Sequence, residues 1–182
     1  RLRDLEANGV VARRELQVPI AATVYELTEL GRGLERPMFE LARWGMNLQR
    51  AQQVVDLAPS SLPNAMRVVL QPPADASFVV GLRTGVHSFS LRARDGWIEA
   101  SRGAADDAEL VLAGAPVAVL AMVVVGDDAA DEVEVEGDEA LLGDLRQMVV
   151  LPERLREESR ELVRSGVLRS GAYDAQTERA SA

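Results

Sequence analysis

Hydrophobic residues at the start of the chain follow two different periods, first helical and then extended. Leu2 and Leu5 lie three residues apart on one helical face, and Asn-Gly at 8–9 is a helix-ending signal. Two runs of alternating character, 10–16 and 23–27, then predict strands on either side of a proline-containing loop. The opening segment is therefore predicted to be the end of a helix followed by a β-hairpin.

A longer helical stripe comes next. Thr28 suits an N-cap, and the apolar positions after it are spaced by three and four residues over a length of about 25 residues. The stripe consists of Leu34, Met38, Leu41, Leu48 and Val55. Pro37 is expected to kink this helix. Two interpretations stay open: the stripe packs on a second domain, or it forms the interface of a dimer.

After a linker-like stretch at 58–63, the pattern interleaves strands with helices. We expect, in order, a helix at 64–70, strands at 77–82, 86–93, 97–101 and 109–113, a helix at 116–125, a strand at 133–136, and helices at 138–148 and from Pro152. The pair Asp95-Gly96 between two apolar runs is a strong hairpin signal. This order predicts an α+β domain around a single sheet.

The domains are predicted at residues 1–58, 59–150 and 151–182, the last being a helix with a tail. The net charge of −9 falls entirely within the second of these segments, so any nucleic-acid surface is expected in the first. The chain has no cysteine, and its longest apolar run is about half of what a membrane-spanning helix requires. We expect a cytoplasmic protein with no membrane partner.

Three stretches of the first domain form a pattern that is more specific together than any is alone. They are RLRDLEANGVVARREL at 1–16, TVYELTELGRGLERP at 23–37 and ARWG at 42–45. Together they resemble the HxlR family of winged helix-turn-helix transcriptional regulators. The resemblance implies a partial winged helix with a long dimerisation helix, double-stranded DNA as partner, and a homodimer. It also implies that the base-reading start of the recognition helix lies upstream of Arg1.

Four arginines in this domain are candidates for contact with DNA. They are Arg1, Arg3, Arg13 and Arg14. Contacts from such arginines to phosphates fix the register of a protein on DNA and do not read sequence. Arg3 has an alternative role in an exposed salt bridge with Glu6, three residues later. The loop tip at 19–22 has no charge, unlike the arginine-bearing wing of many relatives, which argues against a minor-groove contact there.

A second pattern covers residues 62–150. It includes RDGW at 94–97, DAELVL at 107–112 leading into an apolar helix, and VEVEGDEALL at 133–142. These features resemble a sterol carrier protein 2-like domain, which implies an apolar cavity that takes an apolar small-molecule effector. By type and place, the candidate lining residues are Phe78, Phe89, Leu91, Trp97 and Met122, with His87 as the polar anchor. The alternative is that these side chains fill a solid core.

The sequence shows no catalytic or metal-binding constellation. His87 is the only histidine, so metal sites with several imidazoles and histidine-based triads are poorly supported. The carboxylates of Asp127, Asp128, Asp131 and Glu132 lack the spacing of a calcium loop and indicate a solvated loop. We expect no enzyme activity, no cofactor and no metal.

These patterns favour a bacterial DNA-binding transcriptional regulator of HxlR type whose C-terminal domain senses an apolar small molecule. A ligand that prefers one arrangement of the two domains would shift the distance between the two DNA-binding domains of a dimer. The alternative is a lipid-binding or carrier protein in which the winged helix serves protein contacts only. A third interpretation is an accessory domain of an enzyme.

Overall fold

The structure, a computed structural model, describes residues 1–16, 22–48, 57–126 and 132–165. The chain divides into two compact units, Arg1–Trp44 and Gly45–Ala182. The domain limits predicted near residues 58 and 150 stay predictions. Residues 49–56, beside the first limit, lie outside the described part of the chain.

A short helix, a hairpin and two further helices make up the first unit. These elements are α1 (Leu2–Ala7), β1 (Val11–Leu16), β2 (Ala22–Leu27), α2 (Glu29–Gly33) and α3 (Glu35–Gly45). The predicted opening helix and hairpin are confirmed, and the two strands pair antiparallel. Most of the large apolar side chains described in this unit are exposed, while Val11 at the base of the hairpin is buried.

The uninterrupted helix predicted after Thr28 is wrong at one point. Leu34 is the C-cap of α2, and α3 starts at Glu35, so the helix is divided before Pro37 rather than kinked at it. This division places Pro37 in the first turn of α3, where a residue needs no backbone N–H for an intrahelical hydrogen bond. After Gly45 the backbone tightens into a 3-10 turn at Met46–Leu48.

The second unit is built on a five-stranded sheet. Its strands are β3 (Phe78–Thr84), β4 (His87–Arg94), β5 (Trp97–Arg102), β6 (Leu110–Gly114) and β7 (Val133–Gly137). They lie in the order β5-β4-β3-β6-β7, with β3 and β6 parallel and the other pairs antiparallel. All five predicted strands are confirmed, with limits that differ by one or two residues at most.

The turn between β4 and β5 lies at Asp95-Gly96, as predicted. The φ angles of these residues are 51° and 70°. Two positive φ angles define a turn whose twist matches that of the flanking strands. The turn fixes the register, in which Ala93 lies opposite Ile98 and Arg94 lies opposite Trp97.

Helices complete the second unit and cover its core. They are α4 (Leu62–Val69), α5 (Pro116–Val125), α6 (Glu139–Gln147) and α7 (Glu153–Arg164), with a 3-10 turn at Pro59–Ser61 before α4. Side chains from all four helices join one hydrophobic core with β3, β4 and β6. Eight residues of α5 are buried, as its uniformly apolar sequence requires. The predicted α+β class around one sheet is confirmed.

Candidate functional site

The two N-terminal arginines lie on or beside a short helix that ends in a tight turn. Arg1 and Arg3 are both exposed. The Asn8 side chain donates a 2.7 Å hydrogen bond to the Asp4 carbonyl, and Gly9 adopts a φ of 70° that permits the turn into β1. No ion pair between Arg3 and Glu6 is present in the described structure, which leaves the Arg3 guanidinium available to solvent.

The hairpin places the next two arginines on opposite faces. Arg13 lies opposite Tyr25 and Arg14 opposite Val24, and neighbouring residues of a strand point to opposite sides. Arg14 Nη1 lies 2.9 Å from Glu26 Oε1, so this arginine forms an ion pair across the strands. Arg13 Nη2 lies 3.4 Å from the Thr23 hydroxyl, which is a long contact to a neutral group. The two arginines therefore differ in how much charge they offer to a phosphate.

Thr28 fastens the end of the hairpin to its beginning. Its backbone N–H donates to the Val10 carbonyl at 3.1 Å, and its hydroxyl proton is shared between the Gly9 carbonyl at 2.5 Å and the Val10 carbonyl at 3.2 Å. The same hydroxyl accepts from the Gly31 N–H at 3.1 Å, which confirms the predicted N-cap. These bonds hold α1, the hairpin and α2 in one geometry, and they set the positions of the exposed arginines.

Gly31 is a structural residue that sequence reasoning missed. A Cβ at this position would lie 3.1 Å from Leu27 Cδ2 and 3.2 Å from the Val10 carbonyl carbon, and it would overlap the Val10 oxygen. Only glycine lets α2 approach the start of β1 so closely. The sequence shows a glycine three residues after the N-cap Thr28, but the reason for that glycine is a contact with Val10, about twenty positions earlier.

The apolar stripe predicted as a dimer interface lies on the surface of the described structure. Leu34, Met38, Leu41 and Leu48 are between 44% and 73% exposed, whereas Val55 lies outside the described residues. Trp44, 63% exposed, lies at the edge of the same helical face and was not included in the predicted interface. Within the first unit, Met38, Leu41 and Trp44 thus leave apolar side chains of α3 exposed.

Four of the six predicted ligand-binding residues belong to the hydrophobic core of the second unit. Phe78, Phe89, Leu91 and Met122 are each no more than 6% exposed and pack in the same cluster. The alternation of β3 and β4 brings Phe78, Phe89 and Leu91 to one face of the sheet, as predicted. Such low exposure is expected of side chains that fill a closely packed core.

His87 and Trp97 occupy different surroundings. The half-buried His87 ring stacks beside Phe89 with centroids 6.4 Å apart, and its Nδ1 lies 3.3 Å from Arg102 Nη2. Trp97 lies opposite Arg94, out of step with the core-facing residues of β4, and the buried Arg67 guanidinium stacks on its ring at 5.0 Å. Arg67 Nε also donates to the Ile98 carbonyl at 2.8 Å. The structure thus places His87 at the rim of the core and Trp97 apart from Phe89 and Leu91.

A surface cleft of about 450 Å³ is present elsewhere on the second unit. It is lined by Gln71, Pro72, Pro73, Asp144, Gln147 and Met148. None of the six predicted ligand-binding residues lines this cleft. No group of three or more potential metal ligands occurs among the described residues, and Asp127, Asp128 and Asp131 lie outside them.

An exposed ion pair crosses the outer face of the sheet. Arg92 Nη1 and Nη2 donate to the two carboxylate oxygens of Asp107, at 2.8 and 2.6 Å. The hydrogen bond from Arg92 lowers the pKa of the Asp107 carboxyl below its ordinary value, and the hydrogen bond to Asp107 raises the pKa of Arg92. The Arg92 charge is therefore neutralised within the second unit.

Comparison with known proteins bears directly on the first unit. Residues 1–53 match the family described as HxlR-like helix-turn-helix. This segment is HxlR-like. The resemblance inferred from its motifs is confirmed, and the HxlR-like segment contains α1, the hairpin, the Thr28 and Gly31 contacts, and α3. Among the described residues, no helix combines the length and apolar character needed to cross a membrane.

Two solved sulfatase structures are similar to part of the chain. The stereoselective inverting sec-alkylsulfatase Pisa1 from Pseudomonas sp. is 14% identical, with a TM-score of 0.43 over 51% of this chain and 16% of its own. A double mutant of this enzyme has a TM-score of 0.45 at 13% identity, over 52% of this chain and 17% of its own. The chain thus spans about a sixth of the sulfatase.

A third similar structure is described as "UbiJ-SCP2 Ubiquinone synthesis protein". It is 16% identical with a TM-score of 0.35, over 62% of this chain and 96% of its own. No curated protein matches the chain.

Proposed function

We propose that the chain is a cytoplasmic DNA-binding transcriptional regulator of HxlR type that acts as a homodimer. The observation that carries this proposal is the HxlR-like match over residues 1–53, which covers four exposed arginines on or beside α1 and on β1. Of the four, Arg1, Arg3 and Arg13 are the proposed DNA contacts, because Arg14 is paired with Glu26. Because arginine contacts with phosphate release bound counterions, the affinity depends on salt far more than on sequence.

The test of DNA binding compares two arginine variants of equal charge. Arg13→Gln removes an arginine of the first unit that pairs with no carboxylate in the described structure, whereas Arg92→Gln removes one that Asp107 neutralises. We expect Arg13→Gln to lower the slope of log affinity against log salt by about 0.9. Arg92→Gln is expected to leave the slope unchanged. Equal slopes for both variants would contradict the proposal.

We propose that two copies of the chain meet through the apolar stripe on α3 and the turn after it. A two-fold axis places the same patch of both subunits in contact, and Met38 and Leu41, both exposed on one face of α3, suit that arrangement. Leu41→Glu introduces a charge into the stripe, and Arg36→Glu introduces the same residue on the opposite face of α3. Sedimentation is expected to show a monomer for Leu41→Glu and a dimer for Arg36→Glu, and a dimeric Leu41→Glu variant would place the interface elsewhere.

The finer proposal is that the second unit senses an apolar small molecule. Its support is the position of His87, a polar ring at the rim of the core with Phe89 on one side and Arg102 on the other. Native mass spectrometry of the chain from a bacterial host is expected to show a bound apolar molecule, and an unmodified mass would contradict the proposal. A chain that carries a lipid and does not bind DNA would instead favour the lipid-carrier alternative.

A further inference from the structure

We propose that Glu26 withholds Arg14 from DNA, so that the HxlR-like hairpin offers phosphates the charge of Arg13 alone. This inference rests on the proposed DNA-binding function and concerns one residue that the sequence analysis did not single out. Its basis is the ion pair between Arg14 Nη1 and Glu26 Oε1, 2.9 Å apart on one face of the hairpin.

The strand register produces this pairing. Ala12 lies opposite Glu26 and Arg14 lies opposite Val24, so Arg14 and Glu26 are diagonal neighbours on the same face. Long side chains reach across that diagonal distance. The two side chains are 64% and 50% exposed, so both stand in solvent at a surface that a DNA backbone can approach.

Arg13 on the other face supplies an internal comparison. Its contact in the described structure is the neutral Thr23 hydroxyl, at 3.4 Å. Glu15 follows Arg14 directly and points to the Arg13 face, and the described part of the chain gives its carboxylate no ion pair. The hairpin therefore has one neutralised arginine and one whose charge is not compensated by an ion pair.

An exposed ion pair is weak, and a phosphate could displace the carboxylate from Arg14. The obstacle is electrostatic: Glu26 stays beside Arg14, and its carboxylate approaches the same phosphate. An arginine and glutamate with no net charge release no counterion on average, so they add nothing to the salt dependence of binding. Glu26 thereby limits the affinity of the hairpin for DNA of any sequence.

Glu26→Gln in the full chain tests the inference, with Glu15→Gln as the control of equal charge in the same hairpin. Binding to a duplex of unrelated sequence is measured by fluorescence anisotropy across a range of salt. We expect Glu26→Gln to steepen the slope of log affinity against log salt by about 0.9, the contribution of one phosphate contact. Over a tenfold range of salt, this slope difference changes the ratio of the variant's affinity to the wild-type affinity by about eightfold. If the two chains bind equally at about 1 M salt, Glu26→Gln binds about eightfold more tightly at about 0.1 M.

Arg14→Gln closes a double-mutant cycle. In the wild-type chain this substitution is expected to leave the slope unchanged, and in the Glu26→Gln chain it is expected to abolish the gain. A gain from Glu15→Gln equal to that from Glu26→Gln, or a gain that survives Arg14→Gln, would overturn the inference while DNA binding itself stands. If neither wild type nor Glu26→Gln binds the duplex at low salt, both the inference and the proposed function fail.

Discussion

Replacing Gly31 with alanine is expected to loosen the geometry that holds α1, the hairpin and α2 together. The new Cβ would overlap the Val10 carbonyl oxygen, which accepts hydrogen bonds from the backbone N–H and the hydroxyl of Thr28. The backbone of α2 must then move away from Val10, and both bonds lengthen. The perturbation thus acts on the contacts that orient the exposed arginines.

The matched control is Gly33→Ala in the same helix. A Cβ at Gly33 meets nothing within 4 Å, so this substitution brings only the higher helix propensity of alanine, up to about 1 kcal/mol. At Gly31 the same gain is opposed by steric overlap, typically about 1–3 kcal/mol, and by weakened hydrogen bonds of about 1 kcal/mol each. We expect Gly31→Ala to destabilise the first unit by about 1–3 kcal/mol and Gly33→Ala to leave it equal or more stable.

Hydrogen exchange at the Thr28 amide is the assay, because that N–H donates directly to the Val10 carbonyl. A loss of about 1–3 kcal/mol corresponds to a fall in protection of about five- to 150-fold, and urea titrations give the stability of the same variants. Equal protection in the Gly31→Ala and Gly33→Ala chains would refute the close approach of α2 to Val10.

Two further predictions concern the second unit. Leu91→Ala is expected to destabilise it by about 2–5 kcal/mol in urea unfolding, as for a residue of a filled core, and a much smaller loss would instead favour a ligand cavity at Leu91. Arg92 lowers the pKa of Asp107, so this carboxylate stabilises the folded chain at neutral pH, and the contribution is lost as the pH falls through that lowered pKa. Asp107→Asn is therefore expected to flatten the acid side of the stability–pH curve, and an unchanged curve would contradict the role of the pair.

Local signals in the sequence were sufficient for most elements. The Asp95-Gly96 turn, the N-cap at Thr28 and the apolar helix at Pro116–Val125 each follow from a few neighbouring residues, and all are confirmed. The HxlR-like segment was recognisable because its motifs combine a helix end, two strands and a helix start in a fixed order.

The features that the sequence did not reveal depend on contacts between distant residues. The division of the helix at Leu34 accompanies the approach of Gly31 to Val10, a fact of tertiary structure that periodicity does not contain. The pairing of Arg14 with Glu26 depends on the exact hairpin register. Trp97 was grouped with the core because it is a large aromatic residue. Its ring instead stacks against the guanidinium of Arg67, which belongs to a different element thirty positions earlier.

A nuclear magnetic resonance titration of the isotopically labelled chain with duplex DNA tests the central claim most directly. We expect shifted amides to cluster in α1 and β1, where the exposed arginines lie, and in the paired strand β2, while the strands of the second unit do not respond at the same salt. Shifts confined to the second unit, or none at all at low salt, would contradict the claim that the HxlR-like unit binds DNA.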